Sequence, residues 1–159
     1  MIDVIKIASY ISQRYEYQYG SRIDEMKLQI LLYFIQRECI VRTGSSLFEA
    51  TFYAHPFGPY IPEVHAAYIS NSLHDVLQSS IIEEYKLIFD SVFEQLSAKK
   101  TRSLSNLIHG EGSWKRAMMQ GEGTPMDIQD IKEDATRFRV RRFLLTHIAA
   151  AFGEKLKDS

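Results

Sequence analysis

Apolar residues along the chain fall into helix-spaced stripes interrupted once by an alternating run. Val4, Ile7, Ala8, Ile11 and Tyr15 recur at steps of three and four, so they share one side of a helix that Gly20 is placed to end. Asp24 then offers its carboxylate to the free N–H groups of a second helix running to about Val41. In that helix Leu28, Leu31, Leu32, Ile35 and Cys39 make one stripe, and Met26, Ile30, Tyr33 and Phe34 make another. Two apolar faces leave little surface for water, which predicts the central helix of the fold.

Between Thr43 and Tyr60 the period changes. Phe48, Ala50, Phe52 and Ala54 alternate with Glu49, Thr51, Tyr53 and His55 after a Gly44-Ser45-Ser46 turn, and this predicts a short strand. Pro56, Gly58, Pro59 and Pro62 follow; prolines remove backbone donors and the glycine admits unusual dihedrals, so a shaped loop without regular structure is expected. Pro62 suits the first turn of a helix reaching about Asn71. Ser80 and Glu83 read as a capping box for a helix continued by Ile81, Tyr85, Ile88, Val92 and Leu96, with Lys99, Lys100 and Arg102 at its end. A short helix from Ser103 to about His109, a break at Gly110 to Gly112 and a helix capped by Ser113 come next. Thr124, Pro125 and Asp127 resemble another cap with proline at the first helical position. The last long helix carries Phe138, Leu145, Ile148, Ala149, Phe152 and Leu156 on one face, although Arg137 to Arg141 also alternate with strand period. The expected fold is mainly α: a single-domain helical bundle over residues 1–159 with a small β element near residues 47–55.

Composition narrows the function. Nineteen Lys and Arg against twenty Asp and Glu give a net charge of −1, so no global field draws the chain to nucleic acid or an anionic membrane, and neither is an expected partner. One cysteine, Cys39, excludes an intrachain disulfide and a Cys-pair zinc site and fits a reducing compartment, with the cytoplasm as the expectation. The longest nearly apolar stretch, Phe143 to Phe152, is about half the ~20 residues of a membrane span.

Catalytic motifs are sparse. There is no H-E-x-x-H, no G-x-S-x-G and no phosphate-cradling glycine loop, and no cofactor is expected. His109-Gly110-Glu111 matches half of the nucleobase-deaminase signature, whose other half needs two cysteines. The enzyme alternative is therefore a metal-dependent hydrolase or deaminase-like site using His109 and Glu111 with His55 or His65. Arg137, Arg139, Arg141 and Arg142 form the strongest basic cluster, readable as a solvated, ion-paired face with Glu133 bound to Arg137, as a patch for an acidic partner, or as a nucleic-acid-binding regulator. Phe57-Gly58-Pro59-Tyr60-Ile61-Pro62, with His109 and Trp114, suits either a packed corner or a binding surface.

Three segments carry a resemblance. Met26 to Phe34 resembles a "K-L-Q-K-L-L-Y-F" helix, and Leu47-Phe48-Glu49-Ala50 through Phe57-Gly58-Pro59 resembles an "l-F-e" to "G-P-v-x-p" segment. Leu104 to His109 with Trp114 resembles "L-s-x-l-T-H" followed by "p-W". In this order they are similar to the Panacea domain of SocA-like and phage-associated GepA-like antitoxins, over about residues 4–135. Ile30, Tyr60, Ile108 and Ser113 depart from that pattern. The resemblance implies a non-enzymatic protein that binds and neutralises a toxin encoded beside it, and a proteolytic adaptor role toward a ClpXP-type protease. It places partner-binding or fold-signature roles on Lys27, Tyr33, Phe57, Gly58, Pro59, Tyr60, His109 and Trp114.

Overall fold

In the computed structural model, which describes the backbone of residues 1–157 and the side chains of residues 1–152, Gly20 ends the first helix and Asp24 starts the second, as expected, while Asp3 and Gly44 set the other two ends. Helix α1 (Val4–Tyr19) starts with the Asp3 carboxylate accepting from the Ile5 N–H at 2.9 Å and stops at Gly20, whose φ of 74° lets its N–H reach the Glu16 carbonyl. Helix α2 (Glu25–Thr43) is capped by Asp24 and ends at Gly44 with φ 78°. There follow β1 (Tyr53–His55), β2 (Gly58–Tyr60), α3 (Pro62–Ile69), α4 (Ser79–Glu84) and α5 (Lys86–Leu96). The chain continues through α6 (Thr101–Ile108), α7 (Gly112–Gln120) and α8 (Ile128–Lys157), and at 67% helix it is a mainly α protein. No helix among the described residues is long and apolar enough to cross a membrane.

Helix α2 is the axis. Leu28, Ile30, Leu31, Leu32, Tyr33 and Ile35 have no exposed surface, because α1, α3, α5, α6, α8 and the hairpin pack around the helix. Its two buried glutamines substitute for neighbouring strands. Gln29 accepts from the Ile61 N–H at 3.0 Å and donates to the Ile61 carbonyl at 3.2 Å. Gln36 accepts from the Leu47 N–H and donates to the Phe48 carbonyl, both at 2.8 Å. Each amide thus satisfies backbone groups that burial would otherwise orphan, and fixes the β segment to the helix.

The β element is displaced from its expected place. Phe48, Phe52 and Ala54 are buried as their alternation predicts, but the only ladder among the described residues pairs Tyr53 with Tyr60, Ala54 with Pro59 and His55 with Gly58, so the proline-rich segment supplies a strand. Proline fits because Ala54 turns its N–H and carbonyl the other way, to the Thr124 carbonyl and the Gly123 N–H. The Ala54–Pro59 pair therefore demands no donor from Pro59.

Other boundaries also shift. The helix expected from Ser80 breaks at Tyr85 (φ −107°, ψ 19°), and Gln78 rather than Ser80 precedes α4; the break aims Ile88, Phe89, Val92 and Phe93 into the core. Arg102 lies in the first turn of α6, not at the end of α5. Ser113 lies inside α7, since the Asp134 carboxylate from α8 caps that helix by accepting its N–H at 2.8 Å. Pro125 bridges to Tyr53 outside the last helix, and Asp127 alone caps α8 through the Gln129 N–H at 2.6 Å. Helix α8 buries Ile131, Asp134 and Ala135 and half-buries Phe138, but Leu145, Ile148, Ala149 and Phe152 of its expected core face lie in solvent. Leu156 lies outside the described side chains.

Candidate functional site

The tip of the hairpin is held by side chains from outside it. Three consecutive carbonyls there each receive a side-chain donor from the α6–α7 region. Trp114 donates its indole N–H to His55 at 2.8 Å, His109 Nε2 donates to Pro56 at 2.8 Å and Ser105 Oγ donates to Phe57 at 2.6 Å. The His109 ring stacks on the Trp114 ring with centroids 4.6 Å apart. Gly58 completes the turn with φ 155°, where a Cβ would stand 3.2 Å from Ile30 of α2.

On the backbone held this way Phe57 is 69% exposed. Pro59 and Gly58 are buried, and Tyr60 is half-buried with its ring edge-on to His55 at 5.1 Å and 5.2 Å from His65. Burial first, and then the Glu25 carboxylate, push the Tyr60 phenol above its ordinary pKa. The corner is therefore both a packed one, in Gly58, Pro59 and Trp114, and an exposed one, in Phe57.

Lys27 and Tyr33 lie elsewhere. Lys27 is buried and donates to the Ser97 carbonyl at 2.9 Å, anchoring the end of α5. Tyr33 has no exposed surface, meets Phe52 edge-on at 5.6 Å and shares a 2.9 Å hydrogen bond with Ser113. Burial, and next the Glu111 charge, raise its phenol well above the usual range. Both residues are buried and support the interior of the fold.

A charged cleft of about 490 Å³ opens between α2, α6, α7 and α8, lined in part by Arg37, Glu111, Lys115, Arg137 and Arg141. At its floor Arg37 and Glu111 form an ion pair with little exposure, and the guanidinium lies over the rings of Phe34 and Phe138 at 4.8 and 4.2 Å. Burial raises the Glu111 pKa, with Arg37 opposing that shift. These commitments bear on the enzyme alternative: His109 is tied to Pro56 and Glu111 to Arg37. His55 has Glu122 at 3.6 Å and His65 has Glu25 at 2.9 Å. Among the described residues no three His, Cys, Asp or Glu side chains converge as metal ligands would.

The arginine cluster divides. Arg137 pairs with Asp134 at 2.6 Å, not with the expected Glu133, which accepts instead from Arg116 at 2.9 Å. Arg142 reaches both oxygens of Glu38 at 3.1 Å, and Arg42 holds the same carboxylate at 2.8 Å. Burial by itself would raise Glu38, but the two arginines together hold it below the ordinary carboxylate pKa. Arg139 and Arg141 are exposed and form no ion pair among the described residues. Neither the Ser105 clamp nor the Arg37–Glu111 pairing is expected from the sequence: Ser105 shows itself only as a polar residue beside buried Leu104 and Ile108, and nothing local marks Arg37 and Glu111, 74 residues apart, as partners.

Residues 28–115 match the family described as antitoxin SocA-like, Panacea domain. The matched stretch opens in α2 and closes just after Trp114, so it includes the hairpin and all three clamp residues. No curated protein and no solved structure matches the chain.

Proposed function

We propose, from the premise that the chain belongs to the SocA-like antitoxin family with its Panacea domain, that it neutralises a cognate toxin protein by gripping it with the hairpin corner. The reading places this in the cytoplasm and gives the chain no reaction of its own. One observation carries the reading: three donors fix the carbonyls of residues 55–57, and Phe57 is left projecting into solvent. A rigid backbone that presents an aromatic ring has already lost the conformational entropy that binding usually costs, and such anchors dominate protein interfaces.

The test is co-expression with the protein encoded by the adjacent reading frame. The reading expects growth arrest by that protein alone, relief by the wild-type chain and markedly weaker relief by Phe57→Ala. Unrelieved arrest, with no complex on co-purification, contradicts it. The adaptor step implied by the resemblance is a separate matter: it expects the toxin's half-life to shorten only when both this chain and a ClpXP-type protease are present.

A further inference from the structure

Helix α8 packs on the fold with only its first half. From Arg139 to Phe152 every side chain is exposed, including Val140 at 50%, Phe143 at 58%, Leu145 at 58%, Ile148 at 62% and Phe152 at 63%. A helical stretch of this length without tertiary cover is marginal in water, and so many large apolar residues along one free segment exceed the scattered exposure normal for a soluble surface. Leu144, Leu145, Ile148 and Phe152 recur at steps of one, three and four, the spacing by which one helix packs on another. At the base of this segment stand Arg139 and Arg141 without ion-pair partners among the described residues, and Arg141 also lines the charged cleft with Lys115 and Arg37.

We infer that the exposed second half of α8, together with the cationic mouth of the cleft at its base, is a second docking surface for the toxin, and that it takes an amphipathic helix with carboxylates at one end. The inference rests on the antitoxin reading and extends it to a surface outside the matched residues 28–115. Charge decides the occupant. A second copy laid parallel would set arginine against arginine. Laid antiparallel along the exposed stretch from Arg139 to Phe152, it would set Ala149 to Phe152, which carry no carboxylate, against the cationic base. An anionic membrane surface fits less well, because no Lys or Arg accompanies the apolar residues from Phe143 to Phe152, whereas interfacial helices carry cations along their polar face.

The experiment measures the affinity of the full-length chain for the protein of the adjacent reading frame, comparing wild type with Leu145→Glu/Ile148→Glu and with Arg141→Glu. Both variants are expected to bind at least tenfold more weakly; the double variant should keep its melting midpoint, because Leu145 and Ile148 are exposed, and Arg141→Glu, which alters a cleft-lining residue, is compared with wild type at matched thermal stability. Raising the salt should weaken wild-type binding more than that of Arg141→Glu. Equal affinity of wild type and both variants overturns this inference and leaves the antitoxin reading standing; no complex with wild type overturns both. It is also overturned if toxin affinity is unchanged while the double variant abolishes a homodimer seen by light scattering, or abolishes binding to phosphatidylserine vesicles.

Discussion

Trp114 and His55 are joined across 59 residues of chain by a 2.8 Å hydrogen bond from indole N–H to backbone carbonyl, and that bond ties α7 to the strand leading into the hairpin tip. Replacing Trp114 with Phe keeps most of the ring but removes the donor from a half-buried carbonyl. The expected cost is about 1–2 kcal/mol, with faster amide exchange confined to the hairpin, measurable by hydrogen–deuterium exchange. Toxin affinity should fall too, although Trp114 acts through the position of Phe57. Unchanged exchange at residues 53–60 would show that the clamp does not hold the tip.

Gly58 packs the hairpin against Ile30 of α2. An alanine there would adopt a strained φ of 155° and press its Cβ to 3.2 Å from Ile30 Cγ1. Gly58→Ala should destabilise the chain by roughly 1–3 kcal/mol, read from chemical denaturation. Gly20→Ala supplies the comparison: its φ of 74° is also positive, but a Cβ there meets nothing within 4 Å, so its cost should be the smaller of the two.

The Arg37–Glu111 pair tests the floor of the cleft. Arg37→Met leaves Glu111 in a largely buried place without its cation and should cost about 3–5 kcal/mol, while Arg37→Met/Glu111→Leu should recover most of the loss. Recovery in the double variant, followed by thermal unfolding, separates a stranded charge from simple loss of packing. Burial raises Glu111 in the folded state, so its contribution to stability is full below the unfolded pKa of about 4.3 and is lost as pH rises through the folded value.

Glu38 titrates with the opposite sign. Arg142 and Arg42 outweigh burial and lower its folded pKa, so its contribution is present above the unfolded pKa and disappears as pH falls through the folded one. Arg142→Gln should cost about 1 kcal/mol at pH 7, the modest figure reflecting the half-exposed guanidinium. The gap between wild type and variant should close below about pH 4. A gap that persists in acid would mean that Arg142 acts through packing on Phe138, whose ring it covers at 4.7 Å, and not through charge.

What was legible in the sequence follows from range. Helices α1 and α2 announce themselves because stripe, cap and terminating glycine all lie within one segment, and α2 was recognisable as central because both of its faces are apolar. The strand containing Pro59 was not, because a proline is tolerated or forbidden according to which way its partner Ala54 points, and Thr124 and Gly123 decide that from 70 residues away. The break at Tyr85 is hidden in an uninterrupted helical stripe. Phe57, Gly58, Pro59, His109 and Trp114 could be named from the sequence, and the fold brings them together; that Ser105 completes the clamp depends on a contact between residues 48 apart. Lys27 and Tyr33 belong to the same motifs but support the interior, since a motif records which residues recur and not which of them face water.

The most direct measurement is the dissociation constant of the complex between this chain and the protein of the adjacent reading frame, for wild type and for Phe57→Ala at matched thermal stability. The account predicts a tight wild-type complex and a loss of tenfold or more on removing the exposed ring, with the melting midpoint shifted by no more than the equivalent of about 0.5 kcal/mol. Equal affinity of the two proteins would contradict it and remove the hairpin corner from the interface.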